Sequence, residues 1–304
     1  MQMQIEEKGA SYLRLHESGL LDEREWEAKL NLQNCLLCPR KCGIDRESGN
    51  TGYCRSGVMP RVSSYGAHFE EEMPISGTKG SGAIFFSECT MGCIFHQNYP
   101  VNYPGKGNLC TEPGLSDMMI QLQNDGCHNI NLISPTHFVP QIIGAVNNAS
   151  DLGLNIPLVY NTDGYERPEI IRLLDGIVDI YIPEAKFGDN NTAIFLSDAK
   201  DYPKFMKDSI KEMYRQTGDL VCDRDGIAKR GLLVRHLVLP DGLSGTGEIF
   251  RFIAEEVSKD TYVNIMGHYR PEFSDVSGLD RSVTPEEYNS ALDIAREYGL
   301  YRGF

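Results

Sequence analysis

Six short apolar runs between positions 83 and 266, most of them rich in β-branched residues, constrain this chain more than any other feature. They are Ala83 to Phe86, Ile130 to Ile133, Ile156 to Tyr160, Val178 to Ile182, Leu232 to Leu239 and Tyr262 to Met266. Runs so short and so continuously apolar predict strands buried on both faces, as parallel strands are. The stretches between them carry helix punctuation. Ser116 precedes a helical pattern over Met118 to Asp125 that stops at Gly126, and Pro140 opens another that ends at Gly153. Pro168 to Leu174 stops at Gly176, Pro203 to Thr217 stops at Gly218, and Glu248 to Val257 puts Ile249, Phe250, Ile253 and Val257 on one side. Proline suits a first turn, where its missing N–H costs nothing, and glycine suits the left-handed residue after a last turn. Strand and helix in alternation predict a parallel α/β architecture, open and doubly wound or curled into a (β/α)6 arrangement. In either case ligands sit at the carboxyl ends of the strands.

The flanks divide the chain into three expected units, 1–78, 79–270 and 271–304. Tyr12 to Asn34 mixes leucines with charges, as short amphipathic helices do. Cys35, Cys38, Cys42 and Cys54 follow with spacing C-x2-C-x3-C-x11-C, enough for a four-cysteine zinc centre or an iron-sulfur cluster. The turn-forming Gly49-Asn-Thr-Gly52 lets the chain double back between them. Ile75 to Gly82 is loop by composition and marks the boundary with the second unit. The third ends in Thr284-Pro-Glu-Glu287, a capping box, before a helix that is expected to close one side or end of the fold.

Directly after the first run comes Ser87-Glu-Cys-Thr-Met-Gly-Cys-Ile-Phe-His96, which offers Cys89, Cys93 and His96 on one tight loop. Three such side chains at spacing x3 then x2 can converge on one iron site. Other strand ends are polar too: His137 after the second, Asn161-Thr162-Asp163 after the third, Glu184 and Lys186 after the fourth, Arg235 and His236 within the fifth, His268 after the sixth. A single concave polar site accounts for all of them. Taken singly each has a bland explanation: a histidine bonded to a backbone carbonyl, a Glu184–Lys186 ion pair, a plain Asn-Asp-Gly turn.

With cysteine at position 96 the loop would be C-x3-C-x2-C. Together with Ser81-Gly-Ala-Ile-Phe-Phe-Ser87 before it and Gln97-Asn98-Tyr99 after it, it resembles the radical S-adenosylmethionine (SAM) superfamily, in the branch related to the pyruvate formate-lyase-activating enzymes. The resemblance runs from about Cys35 to near the C-terminus. It implies a partial (β/α)6 TIM-like barrel with a Cys-rich N-terminal extension, and a [4Fe-4S] cluster and SAM as cofactors. The implied activity is reductive cleavage of SAM to a 5′-deoxyadenosyl radical that abstracts hydrogen, with a protein glycine as the branch's target and flavodoxin or ferredoxin as electron donor. Residue by residue, it implies that Cys89 and Cys93 ligate the cluster and that Asn161, Thr162 and Asp163 lie near the methionyl group of SAM. Glu184 and Lys186 match a family D-x-K element with Glu in the aspartate's place, and Arg235 and His236 match a V-R-H segment, all as cofactor-binding residues. The relatives also carry N-terminal cysteine clusters like Cys35 to Cys54, and often have glycine where this chain has Glu88.

His96 is the departure that matters. An imidazole in place of a thiolate removes a negative charge and raises the cluster's potential, which makes reductive cleavage harder. It is also open to loss by protonation. Three arrangements follow: His96 ligates iron; Cys110 supplies the third thiolate with His96 behind it; or SAM cleavage has been lost and the protein is a metal-binding or regulatory relative. A different class of function is a binding module whose N-terminal cysteines hold structural zinc.

A net charge of −14 without clustered Lys and Arg excludes a nucleic-acid footprint. No apolar run reaches membrane-spanning length, and the N-terminus has no basic-then-apolar export pattern, so the expectation is a cytoplasmic protein with no membrane partner. Nine cysteines, seven of them between Cys35 and Cys110, fit metal binding better than a secreted disulfide framework.

Overall fold

A computed structural model describes residues 9–95, 105–271 and 278–304, and in it each of the six runs contributes to a parallel strand. The nine strands among the described residues are β1 (Arg61–His68), β2 (Ser81–Phe86), β3 (Asn108–Leu109), β4 (Ile130–Ile133), β5 (Leu158–Thr162), β6 (Ile180–Pro183), β7 (Val221–Cys222), β8 (Ala228–Leu237) and β9 (Tyr262–Met266). The helices are α1 (Tyr12–Glu17), α2 (Leu20–Lys29), α3 (Met73–Ser76), α4 (Glu112–Asn124), α5 (Val139–Asp151), α6 (Pro168–Leu173), α7 (Asn190–Ser197), α8 (Tyr202–Thr217), α9 (Thr246–Phe252) and α10 (Pro285–Glu297). Strands β2, β4, β5, β6, β8 and β9 are parallel neighbours in that order. The order never reverses, so the switch point that defines a doubly wound sheet is absent from it. Antiparallel strands β1, β3 and β7 extend the sheet.

Alternation along the strands sorts side chains onto two faces with separate cores. Leu158, Tyr160, Tyr181, Leu232 and Val234 join the large core under the helices. Their neighbours Val159, Ile180, Ile182 and Leu233 join a small cluster on the other face, which Ile75 from α3 plugs. Above this plug the inner face turns polar. Arg235 forms a two-point pair with Glu72, Nε to Oε1 at 2.7 Å and Nη2 to Oε2 at 2.6 Å, and a second ion pair with Glu71. Asn264 donates to Glu72 at 2.6 Å and Asn131 to Glu71 at 3.1 Å.

Two local expectations need correction. The first predicted helix starts earlier, at Glu112, because Thr111 rather than Ser116 caps it, its hydroxyl accepting from Gly114 N at 3.2 Å; Ser116 is buried and donates to Ala145 O. The helix predicted to reach Val257 becomes a π-turn after Phe252. Residue 78 lies between β1 and β2, which are hydrogen-bonded to each other. The terminal capping box forms as read, with Thr284 and Glu287 satisfying each other's backbone N–H. Its helix packs on α9, and Tyr288 lies over Gly267 at the end of β9. No helix among the described residues is long and apolar enough to cross a membrane.

Candidate metal and cofactor site

Strand β2 ends at Phe86, and buried groups fix the residues that follow. Neutral His137 meets the Ser87 carbonyl through Nε2 at 3.0 Å, with burial driving its pKa down to about 3. Glu88 has φ +71°, the left-handed region in which glycine is at ease and a side chain is strained, and its carboxylate accepts from Gly105 N at 2.9 Å. Cys89 lies against Asp163, Sγ to Oδ2 at 3.5 Å, and accepts from Met91 N at 3.3 Å. Cys93 accepts from the Ser197 hydroxyl at 3.0 Å. Gly92 N and Ile94 N bond the carbonyls of Ser197 and Leu196, both at 3.0 Å, so the loop leans on the end of α7.

Burial raises the pKa of both thiols. The charges of Asp163 and Cys93 add to the rise at Cys89, while the Lys186 ammonium opposes it at both sulfurs. Two sulfurs in each other's field, beside a lysine and with amide and hydroxyl donors aimed at them, are a donor set that suits iron. His96 lies outside the described residues. Cys110 is raised by burial alone, with no contribution from Cys89 or Cys93. Among the described residues no group of three or more His, Cys, Asp or Glu side chains stands ready to hold a metal ion.

Strand β5 brings Asp163 to the cysteines through a turn. Asp163 Oδ1 accepts from Tyr165 N at 2.9 Å, and Gly164 at φ +79° packs so closely on the Glu184 carbonyl that a Cβ there would collide with it. The buried Tyr202 hydroxyl lies 2.9 Å from Asp163 O and 2.8 Å from Glu184 O and accepts from Lys186 N at 3.0 Å, locking the ends of β5 and β6 together. Glu184 and Lys186 are ion-paired to each other. Asn161, on the Val159 face of β5, is buried near the same end.

The other expected members stand apart from this group, two of them through strand alternation. Thr162 points to the helix side, where its hydroxyl donates to Glu166 at 2.5 Å. His236 also faces the helices, fully buried, with Nδ1 2.7 Å from Ala185 O and Nε2 3.0 Å from Thr246 Oγ1. Burial lowers its pKa to about 4, and neither nitrogen is open to a ligand. Arg235 faces inward but is held by Glu71 and Glu72. His268 is exposed. Sequence reasoning missed Glu166, which accepts from Thr136 at 2.6 Å and Tyr160 at 3.2 Å as well as from Thr162. Burial first, and the Asp163 charge second, raise it to about 8.

The four N-terminal cysteines lie near one another. Burial raises Cys38 most, and the charges of Cys54, Cys35 and Cys42 each add to the effect. Backbone bonds Cys35 N to Ile44 O at 2.8 Å and Gly43 N to Cys35 O at 3.0 Å fold the segment into a hairpin. Buried Arg46 fastens that hairpin to the core by donating to His137 O at 2.7 Å.

No family model matches the chain. It is 32% identical over 297 residues to the Uncharacterized protein MJ0674 of Methanocaldococcus jannaschii, a match covering 93% of this chain and 80% of that protein. Among solved structures, a radical SAM methyltransferase from Sphaerobacter thermophilus superposes with TM-score 0.49 at 13% identity, over 95% of this chain and 90% of the other. HydG, a maturase of the [FeFe]-hydrogenase, gives TM-score 0.48 at 11% identity over 71% of this chain, which spans 48% of HydG's length.

Proposed function

We propose that this chain, which belongs to the family of the Methanocaldococcus jannaschii protein MJ0674, is an iron-sulfur protein of radical SAM type built on a partial (β/α)6 barrel. The observation that carries the proposal is the meeting of Cys89, Cys93, Asp163 and Lys186 at the carboxyl ends of β2, β5 and β6. Cys89 and Cys93 would hold a [4Fe-4S] cluster, with His96 as third ligand. With SAM bound beside it, such a cluster would supply the one electron needed to split the sulfonium into methionine and a 5′-deoxyadenosyl radical able to abstract hydrogen. Asp163, Glu184 and Lys186 offer opposite charges on one rim, which suits the amino and carboxylate ends of a methionyl group. The locked β5 and β6 ends keep those charges in register, and the raised thiol pKa values mean that ligation must displace protons. Hydrogen abstraction from a protein glycine, fed by flavodoxin or ferredoxin, is the finer form of this reading; Cys35, Cys38, Cys42 and Cys54 do not stand as a ready metal set in the structure and would have to draw together to hold a second metal, zinc or iron-sulfur.

Anaerobic iron-sulfur reconstitution, then reduction with SAM present, tests it. Release of 5′-deoxyadenosine is expected, faster in a His96→Cys variant because a third thiolate lowers the cluster potential. A stable cluster that never cleaves SAM would instead make the protein a binding or regulatory relative. Protein that stays colourless and free of iron refutes the proposal altogether.

A further inference from the structure

We infer that Arg40, which stands between Cys38 and Cys42 in the N-terminal hairpin, is the positioning residue that holds the Cys89–Cys93 loop in place. This rests on the proposed cluster site for its purpose, though not for its geometry. Arg40 Nε donates to Thr90 O at 2.9 Å, inside the loop and one residue past Cys89. Nη2 lies 3.5 Å from Ser197 O, the carbonyl that also receives Gly92 N. The Ser197 hydroxyl in turn bonds Cys93. Nη1 pairs with Asp198 at 3.3 Å, beyond the end of α7. One guanidinium therefore spans the loop and the helix end on which the loop leans.

The fork is itself fixed from both sides. Its central carbon sits 3.6 Å from the centre of the Tyr53 ring and 5.5 Å from that of Tyr165. Tyr53 comes from the same hairpin, one residue before Cys54, and packs so tightly against Gly92 that a Cβ there would strike its hydroxyl. The Arg40 side chain is only 12% exposed. A planar, five-donor group can satisfy several carbonyls at once while stacked on an aromatic ring, which a lysine cannot do. Hairpin and loop thus move as one body, and whatever orders the hairpin orders the loop as well.

Hydrogen exchange on the full chain reads this directly and needs no bound cluster. Arg40→Ala is expected to speed exchange of the Gly92 and Ile94 amides about tenfold or more, the equivalent of losing roughly 1.4 kcal/mol of local stability, while β4 to β6 stay at the wild-type rate. Arg40→Lys should behave like the alanine variant, and Tyr53→Phe, which keeps the stacked ring, like wild type. In the reconstituted chain Arg40→Ala should also broaden the electron paramagnetic resonance signal of the reduced cluster. Unchanged exchange at Gly92 and Ile94 in both Arg40 variants, or an equal rise across β4 to β6, overturns the inference. If wild type binds no iron yet the loop still loosens selectively, Arg40 keeps its positioning role and only the cluster reading fails.

Discussion

Replacing Glu166 by glutamine should remove a large part of the pH dependence of this protein's stability. Three hydroxyls converge on one of its carboxyl oxygens, and the other, Oε2, is buried with no partner among the described residues. Its pKa rises from 4.5 to about 8, chiefly through burial. The folded state therefore holds this proton more tightly than the unfolded chain does. The resulting stability is fully present below pH 4.5 and is lost as pH rises through about 8. At about 1.4 kcal/mol per pKa unit the full swing is roughly 5 kcal/mol, about half of it falling between pH 5 and pH 7. Glutamine has the shape of the protonated acid and carries no titratable proton. Urea unfolding of wild type and Glu166→Gln at pH 5, 6, 7 and 8 measures the difference. With a denaturant slope of about 3 kcal/mol per M, the wild-type midpoint should drop by roughly 1 M relative to the variant between pH 5 and pH 7. Parallel midpoint curves for the two proteins across that range would falsify the assignment of a buried, protonated Glu166.

Arg235→Ala leaves Glu71 and Glu72 facing each other on the inner face without their cation, and should cost about 3–5 kcal/mol at pH 7. Burial pushes Glu72 up but Arg235 outweighs it and holds the pKa below the usual carboxylate value, so that stabilisation is present at neutral pH and lost on acidification. The penalty should accordingly shrink toward pH 4 in thermal melts; a penalty that does not vary with pH argues against an ion pair there. Gly164→Ala must fit a Cβ against the Glu184 carbonyl at a left-handed backbone position, so a loss of roughly 1–3 kcal/mol is expected. The same change should displace Asp163 from Cys89, which alkylation rates at Cys89 would report.

What could be read without the fold is tied to local pattern. The six runs located the parallel strands because continuous burial of a short segment leaves its mark on each residue in it. Thr284-Pro-Glu-Glu287 gave its capping box because both partners lie within one turn. Period 2 was equally available at Arg235 and His236: adjacent residues on a strand face opposite sides, so the two could not line one site, and the fold puts one inside the sheet and the other under α9. Thr162 and Asn161 separate for the same reason.

By itself the sequence determined an alternating α/β chain, a cysteine loop after its first parallel strand and polar residues where later strands end. Tertiary structure decided the pairings among them: Arg40 with Thr90 and Ser197, Glu72 with Arg235, Asp163 with Cys89, Glu166 with Thr136. Hydrogen-bond and charge chemistry is the same for every arginine and every glutamate in the chain, so residue type does not choose a partner. That choice falls to the close packing of segments distant in sequence, 163 residues apart for Glu72 and Arg235, which leaves each buried group within reach of very few others.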